Sequence, residues 1–148
     1  MRKYKLTNET IAIMYNGKTI TLHRIEALQD FANVKAGQKG GYIESESNLS
    51  QEGNCWICDN AWVCGNAEVY DDACVYGNAE VYGEARIFGT AWVYGNARVF
   101  GNARVFGNAE VYGYARVSGN TEVYGYARVS GTTWICGNAC VSGNNTRE

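Results

Sequence analysis

The chain has 148 residues and a mass of 16.3 kDa, enough for one domain. It holds 18 Gly, 11 Tyr and 6 Cys but no Pro, and the glycines have neither the every-third spacing of collagen nor the Pro/Ser bias of a flexible linker. The net charge of −2 divides into three blocks: seven Lys/Arg against three Asp/Glu in residues 1–40, nine carboxylates and no Lys or Arg in residues 41–84, six Arg and three Glu in residues 85–148. No block concentrates cations on the scale that phosphate contacts demand, which argues against nucleic acid as a partner. No apolar run reaches the length of a membrane span, and residues 1–18 lack the uninterrupted apolar segment of a secretory leader, so a cytoplasmic setting without membrane is expected.

Residues 1–40 are aperiodic. Lys3–Thr7 and Thr10–Met14 read as strands, Asn16-Gly17 is a hairpin turn, and residues 18–25 alternate apolar and polar, so this segment is predicted to be a β-hairpin cap. Residues 41–52 read as two degenerate repeats with Ile43 and Leu49 near core positions. From Gly53 to Ser142 the chain divides into fifteen gapless six-residue units such as Gly95-Asn96-Ala97-Arg98-Val99-Phe100. The first place is Gly except at Asp59 and Asp71, the third is Ala except at Cys55, Thr121 and Thr133, and the fifth is Val or Ile in every unit. Residues 143–148 form a short polar tail, little cover for a last coil.

A period this strict signals a solenoid whose repeats bury their apolar side only by stacking. Places three and five lie two apart, so on a short strand both point inward while places four and six point outward. The units resemble the hexapeptide repeat of left-handed parallel β-helices, in which three units make one 18-residue coil. The predicted fold is therefore an all-β left-handed parallel β-helix of about five coils beneath the hairpin cap.

Stacking at 18-residue intervals sorts the outer residues into faces. On the first, Cys58, Tyr76, Tyr94, Tyr112 and Ser130 run beside Trp56, Cys74, Trp92, Glu110 and Arg128. On the second, Cys64, Tyr82, Phe100, Ser118 and Cys136 run beside Trp62, Glu80, Arg98, Arg116 and Trp134. On the third, Tyr70, Phe88, Phe106, Tyr124 and Ser142 run beside Glu68, Arg86, Arg104 and Glu122. Opposite charges adjoin at Glu68/Arg86, Arg104/Glu122, Glu80/Arg98 and Glu110/Arg128. Contiguous aromatic area marks an association surface, so Tyr70, Phe88, Phe106, Tyr124, Tyr76, Tyr94, Tyr112 and Phe100 are the candidate interface, with the third face foremost. Glu44, Glu46, Glu52, Asp59, Glu68, Asp71, Asp72, Glu80 and Glu84 form a candidate acidic belt suited to a basic protein partner.

The segments Leu22-His23-Arg24-Ile25-Glu26-Ala27-Leu28, Asp30-Phe31, Asn33-Val34-Lys35-Ala36-Gly37, Gly40-Gly41-Tyr42-Ile43-Glu44 and Asn48-Leu49-Ser50, leading into the repeats, resemble the YdcK-like hexapeptide-repeat proteins of bacteria and phages. That resemblance implies the β-helix rather than a reaction, and its phage members imply an inhibitor of a basic host protein as one role. Enzymes of similar shape are acyltransferases, which work as trimers with a catalytic His, or carbonic anhydrases, which bind zinc through three His. Here His23, in the cap, is the one histidine, and no loop interrupts the units. Cys55 and Cys58 have redox or zinc spacing, but strand parity puts the first inside and the second outside, so all six cysteines are expected as reduced packing residues. The reading is a non-catalytic, self-associating binding or assembly protein with no catalytic, cofactor or metal residues assigned; an acyltransferase-like enzyme is the alternative.

Overall fold

The computed structural model describes residues 2–143 and, as backbone, Thr146–Arg147. The chain forms a parallel β-solenoid of about six turns with a hairpin at one end. Among the described residues no helix is long and apolar enough to cross a membrane.

The hairpin is β1 (Tyr4–Tyr15) and β2 (Lys18–Ala27), joined at Asn16-Gly17, and β3 (Lys39–Ile43) follows antiparallel to β2. Fifteen two-residue strands, β4 (Trp56–Ile57) to β18 (Cys140–Val141), occupy places four and five of the units. They stack in parallel onto three sheets in register at 18-residue intervals, as in Glu80, Arg98, Arg116 and Trp134. Between coils the backbone N–H groups of places two, four and six donate upward. Arg98 N–H donates to Ala115 O at 2.9 Å, Phe100 N–H to Val117 O at 2.9 Å and Asn102 N–H to Gly119 O at 2.8 Å. A proline at any of these places would delete a rung.

Inside, the fifth-place residues from Ile57 to Val129 are 0–1% exposed, as are the third-place residues from Cys55 to Ala127, and together they form one continuous core. The corners explain the first place. Gly101 has φ +68°, and a Cβ there would lie 2.8 Å from the backbone nitrogen of Gly119 one coil above. Asp59 and Asp71 take the same left-handed conformation at φ 60° and 58°. Each offsets the crowding with a hydrogen bond, because its Oδ2 accepts from the N–H of the overlying glycine, Gly77 at 3.1 Å and Gly89 at 3.0 Å.

Several details depart from the sequence reading. The expected strands Lys3–Thr7 and Thr10–Met14 are one strand, β1, with a register shift between Leu6 and Thr10. Residues 41–52 add a further turn, since Ile43 pairs with Val63 and Leu49 with Val69. Both offsets are 20 rather than 18, and those two extra residues are why the clean period starts only at Gly53. Of the four adjoining charge pairs, only Glu80 and Arg98 close to ion-pair distance, at 3.4 Å; the other three stand in register without closing. The expected tail lies partly outside the described residues; Thr146–Arg147 form a last strand, β19, parallel to Arg128–Val129.

The hairpin does two jobs. Its base plugs the first coil: Lys3 is 3% exposed, and its Nζ donates to Cys55 O at 2.8 Å and Gly53 O at 3.2 Å, while Tyr4, fully buried, donates its hydroxyl to Leu49 O at 2.6 Å. Gly41 lets β3 lie close under this coil, for a Cβ there would meet Ala61 O at 2.4 Å. The distal half lies on the outer side of the second face, where Ile11, Ile13, Tyr15, Ile20 and Leu22 pack with Tyr42, Trp62, Cys64 and Tyr82. Arg24 ties the hairpin to β3 through Gly40 O at 2.6 Å and the Tyr42 hydroxyl at 2.6 Å, and braces its two strands through Glu9 Oε2 at 2.8 Å.

Val99→Asp places a charge in the sealed core and is expected to cost on the order of 3–5 kcal/mol, read as a lower midpoint in thermal or denaturant unfolding. Gly101→Ala should lower the midpoint too, by more than about 1 kcal/mol given the strained φ and the close backbone. Gly101→Asp should lose less than Gly101→Ala, because the carboxylate can accept the Gly119 N–H.

Candidate interaction faces

Places four and six share one side of each strand, so the coil repeat lays their side chains in columns. On the third face Tyr70, Phe88, Phe106 and Tyr124 form an unbroken stack, with centroids 4.9, 4.8 and 5.2 Å apart and planes within 8° of parallel. On the first face Tyr76, Tyr94 and Tyr112 stack at 4.8 and 5.0 Å. On the second, Tyr82 and Phe100 stack at 4.9 Å, but Tyr15 from the hairpin packs edge-on against Tyr82 at 6.0 Å and its hydroxyl accepts the Gly83 N–H at 3.1 Å. The rings cover one another's faces and turn their edges outward. Burial pushes the Tyr70, Tyr76 and Tyr82 hydroxyls up from the usual tyrosine range; for Tyr94 the Glu110 carboxylate, hydrogen-bonded at 3.0 Å, adds to it.

The three faces are therefore unequal. Cys64, outward by parity, is fully buried under the hairpin, and Trp62 and Tyr82 are partly covered with it. That the hairpin covers some face could have been found from the apolar places Ile11, Ile13, Ile20 and Leu22, too many for a hairpin that only plugs a coil, but not which face it covers. Among the described residues nothing covers the third face in this way. Along its corner runs a polar groove of about 550 Å³ lined by Glu68, Glu84, Arg86, Arg104, Glu122 and three asparagines.

The acidic residues are spread around the lower coils rather than set in one open strip, and most serve the fold. Glu44 accepts the Gly65 N–H at 2.8 Å, Glu46 pairs with Arg2, Asp59 and Asp71 brace corners, Asp72 accepts the Asn54 N–H at 3.1 Å and Glu80 pairs with Arg98. The Arg2 hydrogen bond holds the Glu46 carboxyl below the usual range, whereas burial raises that of Glu80. Glu52, Glu68 and Glu84 make no ion pair among the described residues.

His23 sits in β2 with Nδ1 3.1 Å from Thr7 O, at the irregular stretch of the hairpin. The cysteines are all free; Cys55 and Cys64 are buried and Cys58 and Cys74 half-buried, but Cys136 and Cys140 are exposed, so packing does not describe those two. Among the described residues no three His, Cys, Asp or Glu side chains gather as a metal cluster.

Stacked six-residue units under a hairpin define a β-solenoid repeat protein. The family model described as YdcK Beta solenoid repeat matches residues 91–107 and 97–113. A 63-residue stretch is 48% identical to a protein of Escherichia coli (strain K12) named "Uncharacterized acetyltransferase YdcK", covering 40% of this chain and 19% of that protein. The match thus spans about a fifth of the relative's length. The repeats of this chain are thus similar to the YdcK β-solenoid repeat over the matched stretches.

Thiol labelling checks the placement. Cys136 and Cys140 are expected to react with iodoacetamide in the native protein, while Cys64, whose thiol burial pushes up to about 12, and Cys55 should react only after unfolding, as read by peptide mass spectrometry.

Proposed function

We propose that the chain is a non-catalytic assembly and binding module that associates with copies of itself through the third face and presents its acidic lower coils to a basic protein. The observation that carries this is the unbroken stack Tyr70–Phe88–Phe106–Tyr124, which the hairpin leaves uncovered while it shields part of the second face. Contiguous apolar area of this kind is what association surfaces share. Beside it Glu68, Arg86 and Arg104 are exposed and make no ion pair within the described chain, so their charge is free to set the register of a second copy. The outward ring edges suit side-chain packing against another ladder better than stacking of flat bases, which need ring faces.

Acetyl transfer is the second reading, and the name of the E. coli relative is what favours it. It would need a general base, and the one histidine lies in the hairpin rather than along the polar groove.

Replacing Phe88 and Phe106 together with Ser is expected to lower the oligomer mass in light scattering without loss of the folded state. An unchanged mass would remove the third face as the contact, and heat released on titrating acetyl-CoA into the protein would favour the second reading.

A further inference from the structure

The first face is interrupted where the third is continuous. Tyr76, Tyr94 and Tyr112 stack, but the place beneath Tyr76 in that column is Cys58, so the ladder lacks one ring. The column beside it is interrupted in the same way: Trp56, Cys74 and Trp92 follow one another in register, so a small side chain stands between two tryptophan positions whose backbones are two strand spacings, about 9.6 Å, apart. The loop at Ala32–Val34 closes one side, and the space left is an apolar crevice of about 340 Å³.

Its walls are Trp56, Cys58, Cys74, Tyr76, Trp92 and Val34; Asn33, Asn54 and Asp59 stand at the rim, and among the described residues no Lys or Arg lines it, Arg24 and Lys3 lying behind it in bonds to the backbone of Asp59 and Cys55. Trp92 is 44% exposed and meets Tyr76 edge-on at 6.3 Å. Asp72, bonded to the Asn54 backbone, adds a second carboxylate near the mouth. Burial holds the Cys58 and Cys74 thiols above their usual range, so they line the crevice as uncharged groups that alkylate slowly. An apolar crevice walled by aromatic rings with carboxylates at its rim suits a cation that is planar and weakly hydrated. An ammonium is compact and strongly hydrated, so apolar walls disfavour it.

We propose that this crevice binds a guanidinium group, an arginine side chain carried by a protein partner. The site deepens the partner half of the reading above and does not depend on self-association.

The probe is the peptide acetyl-Gly-Arg-Gly-amide, titrated into the protein and followed through the Trp92 indole resonance and the alkylation rate of Cys74. Saturable shifts and slowed alkylation are expected, with the lysine and citrulline counterparts at least about tenfold weaker. Asp59→Asn keeps the corner, since Asn tolerates positive φ and can still accept the Gly77 N–H, yet should weaken binding several-fold, as should Trp92→Ala. Cys58→Tyr completes the tyrosine ladder, should keep the unfolding midpoint, and should abolish binding by filling the slot. The proposal is overturned if citrulline or lysine peptide binds as well, if Cys58→Tyr still binds, or if Glu84→Gln, at another corner, weakens binding as much as Asp59→Asn. The Phe88/Phe106 double Ser variant should bind the peptide normally, so failure of one proposal is distinguishable from failure of the other.

Discussion

The structure depends on how closely one coil rests on the next at the corners. A side chain at the first place would meet the backbone of the coil above at about van der Waals distance or less, so the chain can turn there only with glycine or with an aspartate whose carboxylate bonds the overlying N–H. Everything else follows from that contact. It sets the coil at 18 residues, which brings each fourth and sixth place over its counterpart, and this turns a local six-residue pattern into columns along the rod. The inner columns become the core and the outer ones the aromatic ladders.

What the sequence made legible is what the period controls. The inward third and fifth places, the three faces and the membership of each ladder were all readable, because parity on a two-residue strand and stacking at 18 leave no freedom. The parts that were not legible lie where the period stops. Nothing in an alternating strand says that its base will deliver Lys3 to the carbonyls of the first coil, or that a register shift near Thr7 sends its other half over Cys64 and Tyr82. The two extra residues of the first turn were invisible for the same reason. Charge complementarity was only half legible: register brings Glu68 and Arg86 into line, but exposed side chains gain too little from closing for register to enforce contact.

The same division applies to the surfaces. The ladder residues could be named from the sequence, but not which ladder stays open, since that is decided by the hairpin. One face is partly clothed, one runs unbroken and one has gaps at Cys58 and Cys74. A repeat so uniform inside can therefore carry different chemistry on each side, because substitution at places four and six leaves the core untouched. The matched repeat model speaks to the scaffold that carries these faces.

The buried ammonium of Lys3 also marks one end of the rod off from the other. Each coil rests on the one before it at a fixed separation of 18 residues, so the sequence distance spanned by a typical contact does not grow as coils are added. Topologies of that kind fold at rates set by their short-range pairings rather than by chain length. The plugged first coil presents a complete edge, and each further coil adds the same set of contacts to it.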